Sequence, residues 1–298
     1  MNTMKKKAFL ITLGLAAVLS AAAAHASDDQ IDEDLMQKVL EANKRENFLK
    51  DGGSYETLST YYDGSSEKVY VDEELGYCAW YDGDVTVYSQ ITMGNIGCGN
   101  SEGEYEFYLL ADDSFNQVFI SCLDYEATQN EIVQECTREG DLLKIVTTAN
   151  PDDLKESMEY WGVEYLEGDT AQITYTVDAD TYALQELSNV VNRADGTTLN
   201  FGTVEVTFDP ERPQDADEMY HYITDSPDQR TITLILDPDT ENEQTYSASF
   251  PKGIFVAMLY PENYSDLYLD RECTQESDNG EADPNQDATV YAVSVDTQ

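Results

Sequence analysis

The feature that most constrains this chain is an alternation of apolar and polar residues, at a period of two, that begins at Ser54. Residues 173–177 read Ile-Thr-Tyr-Thr-Val, and residues 204–208 read Val-Glu-Val-Thr-Phe. A strand with this pattern has one dry face and one wet face, which is typical of an antiparallel sheet. Asp-Gly pairs supply the positive φ of tight hairpins. Such pairs separate the runs at Asp63-Gly64, Asp82-Gly83 and Asp195-Gly196.

Strand-like runs fill most of the chain after residue 53. We predict strands over 54–62, 67–72, 77–81, 84–92, 104–111, 115–122, 141–148, 171–178, 182–191, 200–208, 229–236, 243–249, 254–260, 266–270 and 288–295.

Three helices are predicted beside these strands. Residues 31–48 carry an apolar stripe at helical spacing, and Gly52-Gly53 ends it. Asn150-Pro151 supplies a cap and a first-turn proline for a second helix that ends at about residue 160. A short third helix is predicted at 214–222.

Together these elements predict a mainly β (α+β) fold. The expected architecture is an antiparallel curved sheet or half-barrel covered by two helices, with a small C-terminal β module. The polar, proline-punctuated residues 209–228 are interpreted as a linker. The predicted division is therefore a leader over 1–26, a half-barrel-like β domain over 27–208, the linker, and the small module over 229–298.

The N-terminus has the pattern of an export signal. Lys5-Lys6-Lys7 forms a basic start, residues 8–24 are uncharged and largely apolar, and Ala24-His25-Ala26 places small residues where a signal peptidase cuts. A membrane anchor is the competing interpretation, because the apolar run is nearly long enough to span a bilayer. The alanine-rich end favours cleavage near Ala26. The chain is then secreted, periplasmic or in the cell envelope, and soluble after cleavage.

The charge of the chain excludes two classes of partner. Sixteen Lys and Arg stand against 60 Asp and Glu in 298 residues, which gives a formal net charge of −44. Nucleic acid and anionic membrane surfaces would both be repelled. Hydrophobic residues make up 41% of the chain, which is enough for a core and argues against wholesale disorder.

Five cysteines fit an exported chain in which disulfides form. They are Cys78, Cys98, Cys122, Cys136 and Cys273. The preferred pairs are Cys78–Cys98 and Cys122–Cys136, because each closes a short local loop, and Cys273 is then left unpaired. Pairing across other strands is equally allowed by the chemistry. A structural zinc site is not indicated, because the sequence contains no Cys-x-x-Cys and, after processing, only His221.

Residues 30–208 resemble the lipoprotein-carrier half-barrel superfamily of the LolA/LppX type. The resemblance rests on the hairpin formed by Asp63-Gly64 and residues 69–72, and on residues 175–181, followed by residues 183–187 and the Asp195-Gly196 turn. It implies an open curved sheet with covering helices and an apolar or lipid-like ligand in the concave sheet. It implies no catalytic motif.

Residues 229–298 resemble small β-grasp-like modules of bacterial surface proteins, of the internalin B-repeat type. Residues 267–270 read Leu-Tyr-Leu-Asp and precede Cys273-Thr274, and residues 287–292 read Asp-Ala-Thr-Val-Tyr-Ala. The usual Gly-Trp before the first strand is missing. The resemblance implies a scaffold or adhesive module without chemistry of its own.

One motif is typical of hydrolases, but the residues that follow it are not. Residues 99–103 read Gly-Asn-Ser-Glu-Gly, which matches the nucleophile elbow of α/β hydrolases, and His221 follows in a fitting order. The elbow needs a helix after Ser101, whereas residues 104–109 alternate like a strand. A glycine-rich loop between two strands is therefore the favoured interpretation, and a serine hydrolase using Ser101 is the remote alternative.

Acidic turns offer oxygen ligands for weak Ca²⁺ binding. Asp237, Asp239 and Glu241 are the candidate ligands, although position 12 of an EF-hand counted from Asp237 would be Ala248 rather than Glu. Solvated acidic turns are the alternative, and no other metal or cofactor is predicted.

The aromatic residues allow two interpretations. The chain has 21 tyrosines, and several fall in the first predicted hairpins, where cross-strand packing explains them. A surface of exposed rings that binds carbohydrate or peptide is the alternative.

The function predicted from the sequence is a non-enzymatic binding or carrier protein of the bacterial envelope. The alternative is a structural or adhesive surface component that meets a cell-surface partner and has no small ligand.

Overall fold

The computed structural model describes residues 34–48, 53–83, 85–101, 103–111, 123, 128, 130–277 and 283–295. Within these residues the chain is mainly β, as predicted. The described residues divide into two compact units, one within the bounds Met1–Tyr70 and Phe119–Pro210, the other within Val71–Val118 and Glu211–Gln298. We call them unit 1 and unit 2. Whether 229–298 forms a module of its own stays a prediction.

Four helices and sixteen strands are described. The helices are α1 Leu35–Ala42, α2 Arg45–Phe48, α3 Pro151–Tyr160 and α4 Gln214–Thr224. The strands are β1 Ser54–Tyr61, β2 Ser66–Asp72, β3 Tyr77–Asp82, β4 Val85–Met93, β5 Ile96–Ser101, β6 Glu104–Leu110, β7 Ile132–Glu139, β8 Leu142–Thr148, β9 Thr170–Asp178, β10 Leu184–Asn192, β11 Thr198–Phe208, β12 Gln229–Leu236, β13 Gln244–Pro251, β14 Val256–Leu259, β15 Tyr264–Tyr268 and β16 Ala288–Ser294.

No helix in the described part of the chain combines the length and the apolar character needed to cross a membrane.

Unit 1 contains an antiparallel ladder in the order β1-β11-β10-β9-β8-β7. One face of this ladder is dry: Ile145, Tyr175, Leu187 and Val204 share a row across four strands, and each is at most 8% exposed. On β9 the alternate residues are half-buried or exposed. α3 follows its predicted start, with Asn150 as cap and Pro151 in the first turn, and buries Leu154 and Met158. The predicted one-sided sheet is confirmed.

Unit 2 contains an antiparallel meander in the order β6-β5-β4-β3 and a smaller sheet in the order β13-β12-β16-β15. Two ladders of this unit are parallel. β14 pairs with β6 in parallel, and β12 pairs with β16 in parallel. Each of these pairs joins segments that are far apart in sequence, so no tight turn dictates the direction. α4 occupies part of the predicted linker and buries Ala216, Met219 and Ile223.

Two strands were missed by the alternation criterion, for different reasons. β5 reads Ile-Gly-Cys-Gly-Asn-Ser, so glycines interrupt its side-chain pattern, yet it pairs along its length with β4 and β6. β7 ends the described ladder of unit 1, and most of its residues are exposed on both faces. A strand without a dry face leaves no period-two signal. The predicted strand at 115–122 lies outside the described residues.

The predicted helix 31–48 is interrupted. Residues 31–33 lie outside the described part. α1 ends at Ala42, because the side chain of the next residue, Asn43, hydrogen-bonds to a backbone carbonyl of the last helical turn. The Asn43 Nδ2 donates to the Val39 carbonyl at 2.7 Å and to the Tyr182 carbonyl at 3.0 Å. The Leu184 N–H donates to Asn43 Oδ1 at 2.9 Å. Asn43, only 3% exposed, therefore ties the end of α1 to the β9–β10 turn.

A buried ion pair fixes the approach to β9 and the β10–β11 turn in unit 1. The side chain of Asp169 is fully buried, and Arg193 Nε lies 3.0 Å from its Oδ2. The Leu166 N–H donates to Asp169 Oδ2 at 3.0 Å and the Ala194 N–H to Oδ1 at 2.8 Å. Arg193 Nη2 donates to the Glu164 carbonyl at 2.7 Å. One carboxylate thus holds two loop amides and one guanidinium.

Turn aspartates give the stability an acid limit. Hydrogen bonds from residues two to five positions on lower the pKa of five such carboxylates below the ordinary value near 3.8. They are Asp63, Asp178, Asp195, Asp270 and Asp283. A folded-state pKa below the unfolded value means stability that is present above the unfolded pKa and is lost as the pH falls through the folded pKa.

We therefore expect the melting temperature of the protein to fall progressively below about pH 4. Asp178→Asn should retain the turn, because an asparagine oxygen still accepts the Thr181 N–H, but should flatten part of that acid slope. Melting curves of both proteins from pH 6 to pH 2 measure the difference. Parallel slopes for the two proteins would contradict this assignment.

Candidate functional site

The candidate site is an open cleft of about 730 Å³ in unit 1, at the end of the sheet where β1 begins and β11 ends. Helices α1 and α2 form one side, and the β9–β10 turn forms the other. The lining residues are Lys38, Glu41, Ala42, Asn47, Phe48, Gly53, Ser54, Asp180, Thr181, Tyr182, Ala183, Phe208 and Asp209. The volume lies within the range of small-molecule sites.

The turn side of the cleft is held by hydrogen bonds to its backbone. Asp178 Oδ1 accepts from the Asp180 N–H at 3.0 Å and from the Thr181 N–H at 2.7 Å. Tyr182 has a φ of 61°, a left-handed conformation that an aromatic residue rarely adopts. Its N–H donates to the Asp178 carbonyl at 2.9 Å, and its carbonyl accepts from Asn43. The fold therefore fixes this strained residue at the rim of the cleft.

The strand side combines an aromatic wall with a second left-handed residue. The half-buried rings of Phe48 and Phe208 lie 5.3 Å apart, and Phe48 also meets Tyr55 edge-on at 5.2 Å. Asp209 has a φ of 50°, and its N–H donates to the Ser54 carbonyl at 2.9 Å. A Cβ on Gly53 would lie 3.5 Å from Asp209 Oδ1, and the φ of Gly53, +112°, itself favours glycine.

The cleft lining carries three carboxylates, those of Glu41, Asp180 and Asp209, and one ammonium group, that of Lys38. Glu41 pairs with Lys44 at 2.5 Å, and the hydrogen bond from Lys44 lowers the pKa of Glu41. Asp180 lies 3.6 Å from the Arg138 guanidinium. Asp209 adds a further carboxylate next to Phe208. The described lining contains neither histidine nor cysteine. Its phenylalanine rings suit an apolar group, and its carboxylates suit a hydrogen-bond donor.

The Gly-x-Ser-x-Gly motif lies at the β5–β6 hairpin, between two strands as favoured by its sequence context. Ser101 is the last residue of β5 and pairs with Glu104, the first residue of β6, so a strand rather than a helix follows the serine. The neighbouring pair, Asn100 with Tyr105, places Tyr105 on the opposite face of the sheet from Ser101. His221 lies exposed on α4, whose Tyr222 stacks on Tyr105. The elements that would form a catalytic pair therefore project from opposite faces.

Two of the three calcium candidates, Asp237 and Asp239, are engaged by protein contacts. Asp237 is 6% exposed, and its two oxygens accept from the Tyr264 hydroxyl at 2.9 Å and the Ser294 N–H at 2.9 Å. Asp239 binds the Arg271 guanidinium at 2.9 Å, and Glu241 is exposed. Among the described residues, no group of three or more His, Cys, Asp and Glu side chains is arranged to hold a metal ion.

The predicted Cys78–Cys98 disulfide is absent, and the strand register explains why. Cys78 pairs with Gln90, whereas Cys98 pairs with Ile91 and thus shares a row with Tyr77. The two thiols point to opposite faces and stand two strands apart, roughly 9–10 Å, which is beyond disulfide reach. Both thiols are free and buried, and burial raises the pKa of each to about 12.

The other predicted disulfide cannot be placed. Cys136 lies exposed on β7, and Cys122 lies outside the described residues. The Cys122–Cys136 bond therefore stays a prediction. Cys273, predicted to remain unpaired, carries a free thiol at a φ of 53°.

Comparisons with known proteins give no family for this chain. No protein-family model and no curated protein matches it. The Mycobacterium tuberculosis lipoprotein LppX aligns at 12% identity and a TM-score of 0.31, over 61% of this chain and 98% of LppX. An uncharacterized conserved protein from Thermus thermophilus aligns at 9% identity and a TM-score of 0.28, over 60% of this chain and 95% of that one.

A third solved structure in the same range is MucB in complex with MucA(peri). It aligns at 10% identity and a TM-score of 0.27, over 78% of this chain and 82% of MucB. At such TM-scores the likeness decides neither fold nor function. The resemblances of residues 30–208 and 229–298 to the two families named above remain predictions.

Proposed function

We propose that this chain is a non-enzymatic binding or carrier protein that holds a small amphipathic ligand in the cleft of unit 1. The observation that supports this most is the mixed lining, in which Phe48 and Phe208 stand beside the carboxylates of Asp180 and Asp209. An apolar part of the ligand would cover the two rings. A cationic or hydrogen-bond-donating group would meet the carboxylates.

The ligand position differs from the one expected along the concave sheet. On the dry face of unit 1, Ile145 and Val177 are 0% exposed, and Met158 of α3 is 0% exposed as well. Side chains of the protein thus already fill this part of the described dry face. The cleft at the sheet end offers open volume instead, and its carboxylates favour an amphipathic ligand over a purely apolar one.

The cellular setting of the proposal rests on the sequence. A leader cleaved near Ala26 would export the chain to the envelope or beyond. The net charge of −44 keeps nucleic acid and anionic membrane surfaces from being its partners. Ser101 and His221, on opposite sides of the β5–β6 hairpin, favour a role without catalysis.

Three amphiphiles of equal chain length test the ligand class: octyltrimethylammonium, octanol and octyl sulfate, each titrated below its micelle concentration. We expect the cation to bind most tightly, the alcohol less tightly and the sulfate least. Phe208→Ala should weaken all binding about tenfold, because roughly 50 Å² of apolar contact is lost. Phe255→Ala removes a 53% exposed phenylalanine in unit 2 and should change nothing.

Asp209→Asn isolates the charge, because asparagine tolerates the left-handed backbone at this position. It should reduce the advantage of the cation over the alcohol without weakening the alcohol. Native mass spectrometry of protein purified from its host should also show one retained small molecule. A bare chain by mass spectrometry, together with no binding of the three amphiphiles, would overturn the proposal.

A further inference from the structure

Unit 2 carries an exposed aromatic pair that its core does not require. Tyr105 of β6 and Tyr222 of α4 stack with ring centroids 5.5 Å apart and planes 13° apart. Tyr105 is 41% exposed and Tyr222 is 46% exposed. Phe107, 4% exposed, lies 5.8 Å from Tyr222 and anchors the pair from below. The packing holds the two rings in place and leaves much of their surface in solvent.

Carboxylates surround this pair in a fixed pattern. Asp215, Glu218 and Asp225 recur with Tyr222 at steps of three and four along and just beyond α4, which places them on one face of the helix. We call the two tyrosines and these three acids the tyrosine ridge. Burial raises the pKa of Tyr105, and the charges of Glu218 and Asp215 raise it further, so these two acids lie within electrostatic reach of the ring.

Nearby cationic groups are already engaged. Arg212 binds Asp72 at 3.0 Å and lies 3.6 Å from Asp217. His221 Nδ1 lies 2.9 Å from Asp225 Oδ2 on the helix surface. Glu218 accepts from the neutral Gln214 amide at 2.7 Å, which leaves its negative charge in place. The ridge therefore presents aromatic faces and net negative charge together.

This combination is complementary to one chemistry. The face of an aromatic ring attracts a cation within about 6 Å, and guanidinium groups stack on such faces most readily. A carboxylate one helical turn from the ring can then pair with the same guanidinium. The chain as a whole, at −44, draws cationic partners and repels anionic ones.

From the stacked, exposed ring pair within this acidic frame, we infer that the tyrosine ridge docks an arginine-bearing peptide segment of a partner protein. One arginine stacks on Tyr222 or Tyr105, and Glu218, one helical turn from Tyr222, binds its guanidinium. This interaction surface belongs to unit 2 and is independent of the ligand proposed for the cleft of unit 1.

The test uses the mature chain and three short peptides of equal length, in which serine alternates with arginine, lysine or glutamate. Binding is measured at physiological ionic strength, where screening limits unspecific attraction to about 8 Å. We expect the arginine peptide to bind most tightly, the lysine peptide less tightly and the glutamate peptide not at all. Tyr222→Leu and Tyr105→Leu should each weaken the arginine peptide about fivefold.

Two matched controls separate recognition from general attraction to an acidic protein. Tyr160→Leu removes a 50% exposed tyrosine of unit 1, and Glu205→Gln removes an exposed acid of β11. Neither should change binding, whereas Glu218→Gln should weaken it. Thermal melting checks that each variant folds, and the two tyrosine variants on different elements guard against a local packing defect. Equal losses for ridge and control variants, or unchanged binding by both ridge tyrosine variants, would overturn the inference.

Discussion

Replacing Asp169 with alanine is expected to lower the free energy of unfolding of unit 1 by about 3–5 kcal/mol. The carboxylate is fully buried and accepts from the Leu166 and Ala194 amides, while Arg193 pairs with it at 3.0 Å. The Arg193 side chain is 15% exposed, so its charge would lose its carboxylate in a largely dry place. Urea unfolding followed by tryptophan fluorescence measures the change, since Trp161 lies in unit 1.

The double variant Asp169→Ala with Arg193→Met tests the cause. Removing both charges should be less destabilising than the sum of the two single changes, because neither partner is then left uncompensated. Lys155→Ala is the control: it removes an exposed helical pair with Glu159 at 3.9 Å and should cost less than about 0.5 kcal/mol. Additive losses in the double variant would show that the ion pair is not the source of stability.

Asn43→Ala is expected to cost about 3 kcal/mol and to weaken ligand binding in the cleft. The variant leaves the buried Leu184 N–H without its acceptor and the Tyr182 carbonyl without its amide donor. Each such group costs about 1–3 kcal/mol when buried and unsatisfied. The left-handed backbone of Tyr182 also loses a support, so the rim of the cleft should relax. Urea unfolding and titration with octyltrimethylammonium measure the two effects.

Asn47→Ala provides the comparison within the same pair of helices. Its exposed amide donates to the Glu41 carbonyl at 2.8 Å, and we expect its loss to change stability by a few tenths of a kcal/mol. Equal destabilisation by Asn43→Ala and Asn47→Ala would show that burial of the Asn43 side chain does not set its contribution. Stability lost without any change in titration would separate Asn43 from the cleft.

Most of the strands could be predicted from the sequence, because a sheet that buries one face has an apolar residue at every second position of each strand. β9 and β11 show this clearly, and Asn150-Pro151 marks the start of α3 equally well. β5 and β7 could not be predicted, because pairing with neighbouring strands makes them extended. The local sequence pattern does not show that pairing. The parallel pairs β6–β14 and β12–β16 depend on the same long-range pairing.

The two functional surfaces differ in how far the sequence could reach them. Phe48, Asp180 and Phe208 meet in the cleft only because a strand end, a turn and a helix end converge there. No residue spacing in the sequence predicts that these three side chains come together. The left-handed φ of Asp209 could not be predicted either, because a residue before proline is normally expected in an extended conformation. The acids of α4 and Tyr222 stand at helical spacing and could have been recognised. Their partner Tyr105 could not, because it lies on another element more than a hundred residues away.

The interleaved path of the chain has a consequence for biosynthesis. Unit 2 receives its first strands, β3 to β6, from residues 71–118, yet β14 and α4 come only after residue 210. A chain emerging N-terminus first therefore exposes β6 before its parallel neighbour exists. During that interval an unpaired strand edge is available to other chains, which is when aggregation is most probable. Chaperones that shield nascent polypeptides would matter most in this window, after residue 118 and before residue 259 has emerged.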